Sequence, residues 1–149
     1  MEENKRRGFE YVGITIACLL HDGTGKFLMQ KRGPKARDEW GRWDVCAGAL
    51  EHGETIEDTI RRELNEELCT KPLKIEFLGA GEAHREHDGR PTHWVWLLHA
   101  VQVDPSTVKI GEPHKIAEVG WFNYDNLPSP LHSQISPALK LAYEQKIIK

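Results

Sequence analysis

Two segments of the chain are apolar at both odd and even positions, and they constrain the fold more than any other feature. The first covers residues 11–20 and the second residues 93–103. A strand with two apolar faces is usually covered on both sides, as the central strands of a sheet are. Since helical patterns occur between these strands and after them, we predict a sheet that lies between helices.

Shorter patterns predict the other elements. Asp22–Gly25 is a turn from which Lys26–Arg32 returns, so this segment and the first strand form a hairpin. Residues 35–42 and 81–92 are polar and contain glycine or proline, which indicates loops. The remaining predicted elements are strands at Trp43–Ala47, 72–82 and Glu118–Tyr124, and a helix from Pro137 to about Lys146.

Length and composition narrow the functional classes. The 149 residues are 39% hydrophobic and 29% charged, which is typical of one soluble domain covering residues 1–149. No apolar run could span a bilayer, and the charged start lacks the features of a signal peptide, so we expect a cytoplasmic protein without a membrane partner. A net charge of −3 argues against a general nucleic-acid binder, although a metal could supply the positive charge that a nucleotide needs.

The chain contains three widely spaced cysteines and no CxxC pair. A zinc site built on thiolates is therefore not expected. We expect Cys18, Cys46 and Cys69 to be buried free thiols in a reducing cytoplasm.

One segment has the spacing of an amphipathic helix. Thr55 is its predicted N-cap, with acidic residues in the turn that follows. Apolar residues then recur at every fourth position, namely Ile56, Ile60, Leu64 and Leu68. At about 100° per residue, Glu63, Glu66 and Glu67 fall on one arc, and two of them lie at or inside the edge of the apolar stripe.

This arc of carboxylates, here called the acidic arc (Glu63, Glu66 and Glu67), has two interpretations. A solvated charge run would lie opposite the apolar stripe and pair with Lys or Arg at four-residue spacing. Acids at a core edge instead repel each other and lose hydration, and both effects cost free energy. A divalent cation offsets both costs, and closely spaced oxygen ligands suit Mg²⁺ or Mn²⁺ rather than zinc. Geometry alone therefore favours a metal site.

The surrounding residues carry a motif of 20 consecutive positions. Gly48 is followed after five residues by Glu54, and seven residues later comes Arg62-Glu-Leu-Asn-Glu-Glu67. This pattern resembles the Nudix box. The resemblance implies an α+β fold, an α/β/α sandwich with a mixed β-sheet between helices. The chain departs from the family pattern after the helix, at Cys69-Thr70, and before the box, at Cys46-Ala47.

The resemblance also implies roles for single residues. The acidic arc would bind Mg²⁺, for which Mn²⁺ can substitute, and Glu63 would also orient or deprotonate the attacking water. Arg62 would hold the loop and the helix together through Glu54; its alternative role is a weak surface ion pair. Gly48 would let the backbone approach the metal or phosphate; alternatively it is a turn glycine.

Several residues outside the box have both a possible functional role and a possible structural role. Glu112 is the first candidate for an additional metal ligand, with Glu118, Glu82 and Glu86 as rivals, and each could instead be a solvated carboxylate. Arg32, among the neighbouring basic residues Lys31, Lys35 and Arg37, could contact phosphate or lie in a solvated loop. Trp94 and Trp96 could stack a base or pack in the core. His84 and His87 could be acid–base groups or exposed loop residues, whereas His93 and His99 are expected to be packed.

The predicted function is Mg²⁺-dependent hydrolysis of a diphosphate bond in a nucleoside diphosphate linked to another group. A nucleoside triphosphate is favoured, because Glu112-Pro113-x-Lys115 is similar to segments of nucleotide-cleaning members. The alternative is a Nudix-fold module that senses a nucleotide without cleaving it. Such modules commonly lack box acids and carry a DNA-binding domain, whereas this chain keeps the acids and has no room for that domain. The base, the linked group and the oligomeric state stay open, and a homodimer is compatible with the sequence.

Overall fold

A computed structural model describes residues 5–149 of the chain. Within this range seven strands pair in one sheet, and two helices pack on its opposite faces. The strands are β1 (Gly13–His21), β2 (Phe27–Arg32), β3 (Trp43–Asp44), β4 (Cys46–Ala49), β5 (Lys74–His87), β6 (Arg90–Gln102) and β7 (Ile116–Phe122). The helices are α1 (Ile56–Leu68) and α2 (Ser136–Glu144), with a 3-10 turn at Pro105–Thr107. The predicted α/β/α sandwich is confirmed.

The sheet is mixed, as expected. β1 runs parallel to β6 and antiparallel to β4, and β5 pairs antiparallel with β6. In the predicted hairpin, β1 and β2 pair only next to the turn, where His21 lies opposite Phe27. Beyond that point β4 pairs with β1, whereas β2 pairs with β3 and β7. The two strands of the hairpin therefore separate.

Two apolar cores lie on opposite faces of the sheet. Ile16, Cys18 and Leu20 of β1 pack with α1 on one face. Ala17 and Leu19 pack with α2 on the other face. This alternation confirms that the first apolar segment is covered on both sides, although its strand begins at Gly13 and leaves residues 11–12 exposed.

The predicted loop at residues 81–92 is wrong. β5 continues to His87 and β6 begins at Arg90, so that only Asp88 and Gly89 form the turn. Both turn residues have positive φ, 51° and 76°, as a tight two-residue hairpin requires. The charged side chains of this ribbon do not prevent strand pairing, because alternate residues of a strand can face solvent.

Smaller shifts affect the other boundaries. The predicted strand at residues 43–47 is divided at Val45 into β3 and β4, and β7 lies two residues earlier than predicted. The terminal helix begins at Ser136 and ends two residues before the predicted end. No helix among residues 5–149 is long and apolar enough to cross a membrane.

Candidate active site

Helix α1 begins as the sequence predicts. The Thr55 hydroxyl accepts a hydrogen bond from the Asp58 amide at 3.1 Å, and the Asp58 carboxylate accepts one from the Thr55 amide at 3.0 Å. This reciprocal pair is a capping box. Buried Ile60, Leu64 and Leu68 fix the rotation of the helix on the sheet, whereas Ile56, the first residue of the apolar stripe, is exposed. Ile56 lies in the exposed first turn, outside the packed part of the helix.

Arg62 joins a loop, a strand and the helix. Its guanidinium donates two hydrogen bonds to the Glu54 carboxylate, at 2.8 and 2.9 Å, and one to the Ala49 carbonyl at 3.3 Å. It also donates to Glu63 Oε1 at 2.7 Å. The hydrogen bonds from Arg62 lower the pKa of Glu54 to about 2. A bidentate pair with further contacts is more specific than a simple surface ion pair.

Glu63 lies beneath strand β4. Its side chain is buried, and Gly48 leaves the space that its carboxyl group occupies. A Cβ atom at position 48 would lie 2.2 Å from the carboxyl carbon of Glu63. Gly48 is inside β4 and does not have a positive φ, so this contact rather than a turn accounts for the glycine. Burial raises the pKa of Glu63, although Arg62 opposes the shift.

Glu67 is enclosed by two residues that the sequence analysis missed as site residues. Its Oε2 atom lies 3.3 Å from Cys46 Sγ and 3.4 Å from Gln30 Nε2. Hydrogen bonding with Cys18, together with burial, raises the pKa of the Cys46 thiol, which therefore stays protonated and donates to Glu67. Burial, and then the charge of Glu63, raises the pKa of Glu67 to about 7. The sequence contains one indication of the Cys46 contact. Cys46 lies two residues before Gly48, so both residues are on the same face of the strand.

Of the three cysteines, two are buried as predicted. Cys69 is exposed, so its expected burial is wrong. It follows the last residue of α1 and ends the helix in the left-handed conformation, with φ 54° and ψ 30°. The departure from the family pattern therefore falls at a position where glycine is the usual residue.

A loop at the end of α1 brings Glu112 to the acidic arc. The Lys109 amide donates to the Leu68 carbonyl at 3.0 Å, and the Gly111 amide donates to the Glu67 carbonyl at 2.8 Å. These bonds satisfy carbonyl groups at the helix terminus. The charge of Glu112 contributes to the raised pKa values of Glu63 and Glu67. Glu112 thus lies within electrostatic reach of Glu63, which is buried, and of Glu67, which is partly buried.

The rival acids lie elsewhere. Glu118 is opposite Lys31 in the pairing of β2 with β7. Glu82 and Glu86 are on the β5–β6 ribbon, and Glu86 lines the same cavity as Gly48. Glu66, the third member of the acidic arc, is half-exposed and lies 3.7 Å from the Arg62 guanidinium.

The donor set fits Mg²⁺ or Mn²⁺, because carboxylate oxygens are their preferred protein ligands. Gln30 Oε1, beside Glu67, is a buried acceptor without a hydrogen-bond partner in the described part of the chain. No three of the acids Glu63, Glu66, Glu67 and Glu112 have oxygens that all lie within 4.8 Å of one another among residues 5–149. Glu63 faces Arg62 and Glu67 faces Cys46, so binding a cation would require their carboxylates to rotate.

A cavity of about 320 Å³ opens on the α2 face of the sheet, here called the α2-side cavity. Gly48 lines this cavity and also contacts Glu63, so the cavity meets the acidic arc at strand β4. Trp94 and Trp96 form part of its wall. The Trp94 ring packs on two glycines, and its buried Nε1 has no hydrogen-bond partner among the described residues. The guanidinium of Arg37 lies 5.8 Å from the centre of the Trp94 ring.

Arg32 also lines the α2-side cavity, but two carboxylates hold its guanidinium. It donates to the Asp38 carbonyl at 2.8 Å and to the Asp38 carboxylate at 3.2 Å. It also donates to Asp44 at 3.4 Å. A phosphate at Arg32 would therefore compete with these acids.

Two bacterial enzymes are similar in sequence to this chain over part of their length. A 63-residue stretch is 39% identical to nucleoside triphosphatase NudI of Escherichia coli and covers 42% of this chain and 45% of that protein. A 57-residue stretch is 40% identical to NudI of Escherichia fergusonii and covers 38% of this chain and 40% of that protein. The chain thus matches less than half the length of these curated relatives.

Solved structures and a family model are similar over most of the chain. The MutT Nudix hydrolase of Burkholderia pseudomallei superposes with a TM-score of 0.78 at 26% identity, covering 89% of this chain and 98% of that chain. The Nudix domain of Shewanella oneidensis NrtR, solved with ADP ribose, shares the fold at 21% identity with a TM-score of 0.69. The match covers 89% of this chain and 87% of that chain. The NUDIX domain family model matches residues 12–142. This match runs from the residue before β1 into α2 and includes the acidic arc, so the chain belongs to the Nudix family.

Proposed function

We propose that the chain is a Mg²⁺-dependent pyrophosphohydrolase acting on a nucleoside diphosphate linked to another group. A nucleoside triphosphate is the first substrate to test. The observation that carries the proposal is the position of Glu63, which is buried in the acidic arc and packs against Gly48, a residue that also lines the α2-side cavity. A substrate in that cavity would have its phosphates next to the acids.

The side chains have distinct roles in this proposal. Glu66, Glu67 and Glu112 would hold the metal with Glu63, and Mn²⁺ could replace Mg²⁺. When bound, such an ion would neutralise charge on the diphosphate oxygens and make water more acidic. Glu63 accepts a proton from the attacking water as a new oxygen–phosphorus bond forms, and the bond from that phosphorus to the bridging oxygen breaks. Arg62 keeps Glu63 in place through its hydrogen bonds with Glu54 and β4.

The α2-side cavity would hold the nucleoside. Trp94 and Trp96 offer aromatic surface for a base. Arg32 would contact a phosphate if Asp38 or Asp44 released it. The local similarity to nucleoside triphosphatase NudI supports a triphosphate substrate, and so does the segment Glu112-Pro113-x-Lys115.

The decisive experiment compares Glu63→Gln with wild type on a panel of nucleotides, with Mg²⁺ and with EDTA. We expect wild-type phosphate release to need Mg²⁺ or Mn²⁺. The variant should keep nucleotide binding by calorimetry and lose about 10²-fold or more in kcat, as loss of a key charged group often does.

Glu57→Gln is the matched control, because Glu57 is an exposed glutamate on the same helix whose one ion pair within residues 5–149 is with Arg61. It should leave kcat unchanged. Turnover in EDTA, or a Glu63→Gln variant with the wild-type rate, would contradict the proposal. Binding without cleavage by the wild-type protein would favour the sensing module instead.

A further inference from the structure

A second group of potential metal ligands lies on the β5–β6 ribbon, on the face opposite the α2-side cavity. His84 of β5 is directly opposite His93 of β6, and Glu82 precedes His84 by two residues. Because residues two apart on a strand share a face, all three side chains project from the same side of the ribbon. Ala83, between Glu82 and His84, instead lines the cavity.

The donor atoms of these three residues converge. His93 Nε2 lies 2.8 Å from Glu82 Oε1, and His84 Nε2 lies 3.7 Å from the same oxygen. One donor atom from each of the three lies within 4.8 Å of the other two. Ligands about 2.0–2.2 Å from a tetrahedral zinc ion lie roughly 3.3 Å from one another. The two observed distances bracket that value, so small side-chain rotations would complete the geometry.

Ion pairs with arginine distinguish this group from a second cluster of three potential metal ligands. Asp38, Glu39 and His132 also bring three donor atoms together, but Arg85 forms ion pairs with both acids, and Arg32 pairs with Asp38. Within residues 5–149, Glu82 has ion pairs only with the two histidines and none with Lys or Arg. Its charge is therefore available to a cation.

We propose that Glu82, His84 and His93 bind Zn²⁺ at a site separate from the acidic arc. Two imidazoles and one carboxylate suit zinc, whereas the carboxylates of the acidic arc suit Mg²⁺. Three protein ligands leave the fourth position of a tetrahedral ion to water or to a group from another molecule. The ligands are on paired strands, so the backbone holds them in register.

The test is calorimetric titration of the full chain with Zn²⁺ in excess Mg²⁺, which would occupy the acidic arc under the proposed function. We expect one Zn²⁺ per wild-type chain. His84→Ala and Glu82→Gln should each weaken Zn²⁺ binding by about tenfold or more, since even residues behind the direct ligands change metal affinity by about 10–100-fold. His84 and Glu82 are 67% and 59% exposed, so both variants should fold, and circular dichroism checks this.

His87→Ala is the matched control, because His87 lies on the same ribbon but on the opposite face, toward the cavity. It should bind Zn²⁺ as the wild type does. Co²⁺ bound in place of Zn²⁺ provides a second measurement, since its visible absorption bands report nitrogen ligation and should be lost in His84→Ala. Absence of Zn²⁺ binding in excess Mg²⁺ would overturn the proposal, and so would equal Zn²⁺ affinity in wild type and both ligand variants.

Discussion

At the scale of single residues, the contact between Gly48 and Glu63 makes a sharp prediction. Gly48→Ala places a Cβ atom where the Glu63 carboxyl group lies, so that group must move. The strand itself should form, because Gly48 does not have a positive φ. We expect kcat to fall by about 10²-fold with little change in melting temperature, since a displacement of 1 Å can cost that much.

A double variant tests whether Gly48 acts only through Glu63. Gly48→Ala combined with Glu63→Gln should be no slower than Glu63→Gln alone, because both changes affect the same carboxylate. A further loss of kcat in the double variant would show that Gly48 has a separate role, such as direct contact with phosphate or metal.

Contacts between single residues also mark the limit of sequence reasoning. The burial of Glu63 could be predicted, because helical spacing puts it at the edge of the apolar stripe. The contacts of Glu67 with Gln30 and Cys46 could not, since they join residues 37 and 21 positions apart. Such contacts depend on how β2, β4 and α1 pack, which local spacing does not specify.

At the scale of elements, the end of α1 offers a test of stability. Cys69 has a left-handed backbone conformation, which costs a non-glycine residue about 1–3 kcal/mol. Its side chain is exposed, so removing it sacrifices little burial. Cys69→Gly should therefore raise the free energy of unfolding by about 1 kcal/mol, or the melting temperature by about 2–4 °C.

Urea denaturation measures this effect, and Cys69→Ala is the control. Alanine keeps the Cβ atom that makes the conformation unfavourable, so it should bring no gain. Equal stability of the Gly and Ala variants would mean that backbone conformation at this helix end does not limit stability.

The β5–β6 ribbon shows why one element was mispredicted. Its charged residues favour a loop prediction, whereas Asp88-Gly89 is a known signal for a tight hairpin turn. Charges alternate there between a solvent face and a cavity face, so a polar segment still pairs as strands. Turn chemistry was a better guide than polarity in this segment.

At the scale of the whole molecule, stability should depend on pH through the acidic arc. Burial raises the pKa of Glu67 to about 7, above the value of about 4.3 expected in an unfolded chain. The folded state therefore binds the proton more tightly, and its stability falls as pH rises from about 4.3 to 7. In EDTA, the wild type should melt at a lower temperature at pH 8 than at pH 5.

Glu67→Gln removes this ionisation and should melt higher than the wild type at pH 8 in EDTA, with the difference disappearing near pH 4.5. At pH 8, Mg²⁺ should raise the melting temperature of the wild type, and it should raise that of the variant by less. Glu57→Gln, on the exposed face of α1, should follow the wild type. If the melting temperature of Glu67→Gln changed with pH as that of the wild type does, the result would contradict a pKa of about 7 for Glu67.

Strand β4 has a consequence for how such a protein can diversify. Ala47, Gly48 and Ala49 of this strand line the cavity, and the Glu63 carboxyl group packs against Gly48 from the helix α1 side. If this cavity holds the substrate, as we propose, mutations in its lining from α2 and β6 should change which molecule is accepted without moving a carboxylate of α1. Under this proposal selectivity and bond cleavage can evolve almost independently, whereas Gly48 cannot gain a side chain without displacing the Glu63 carboxyl group.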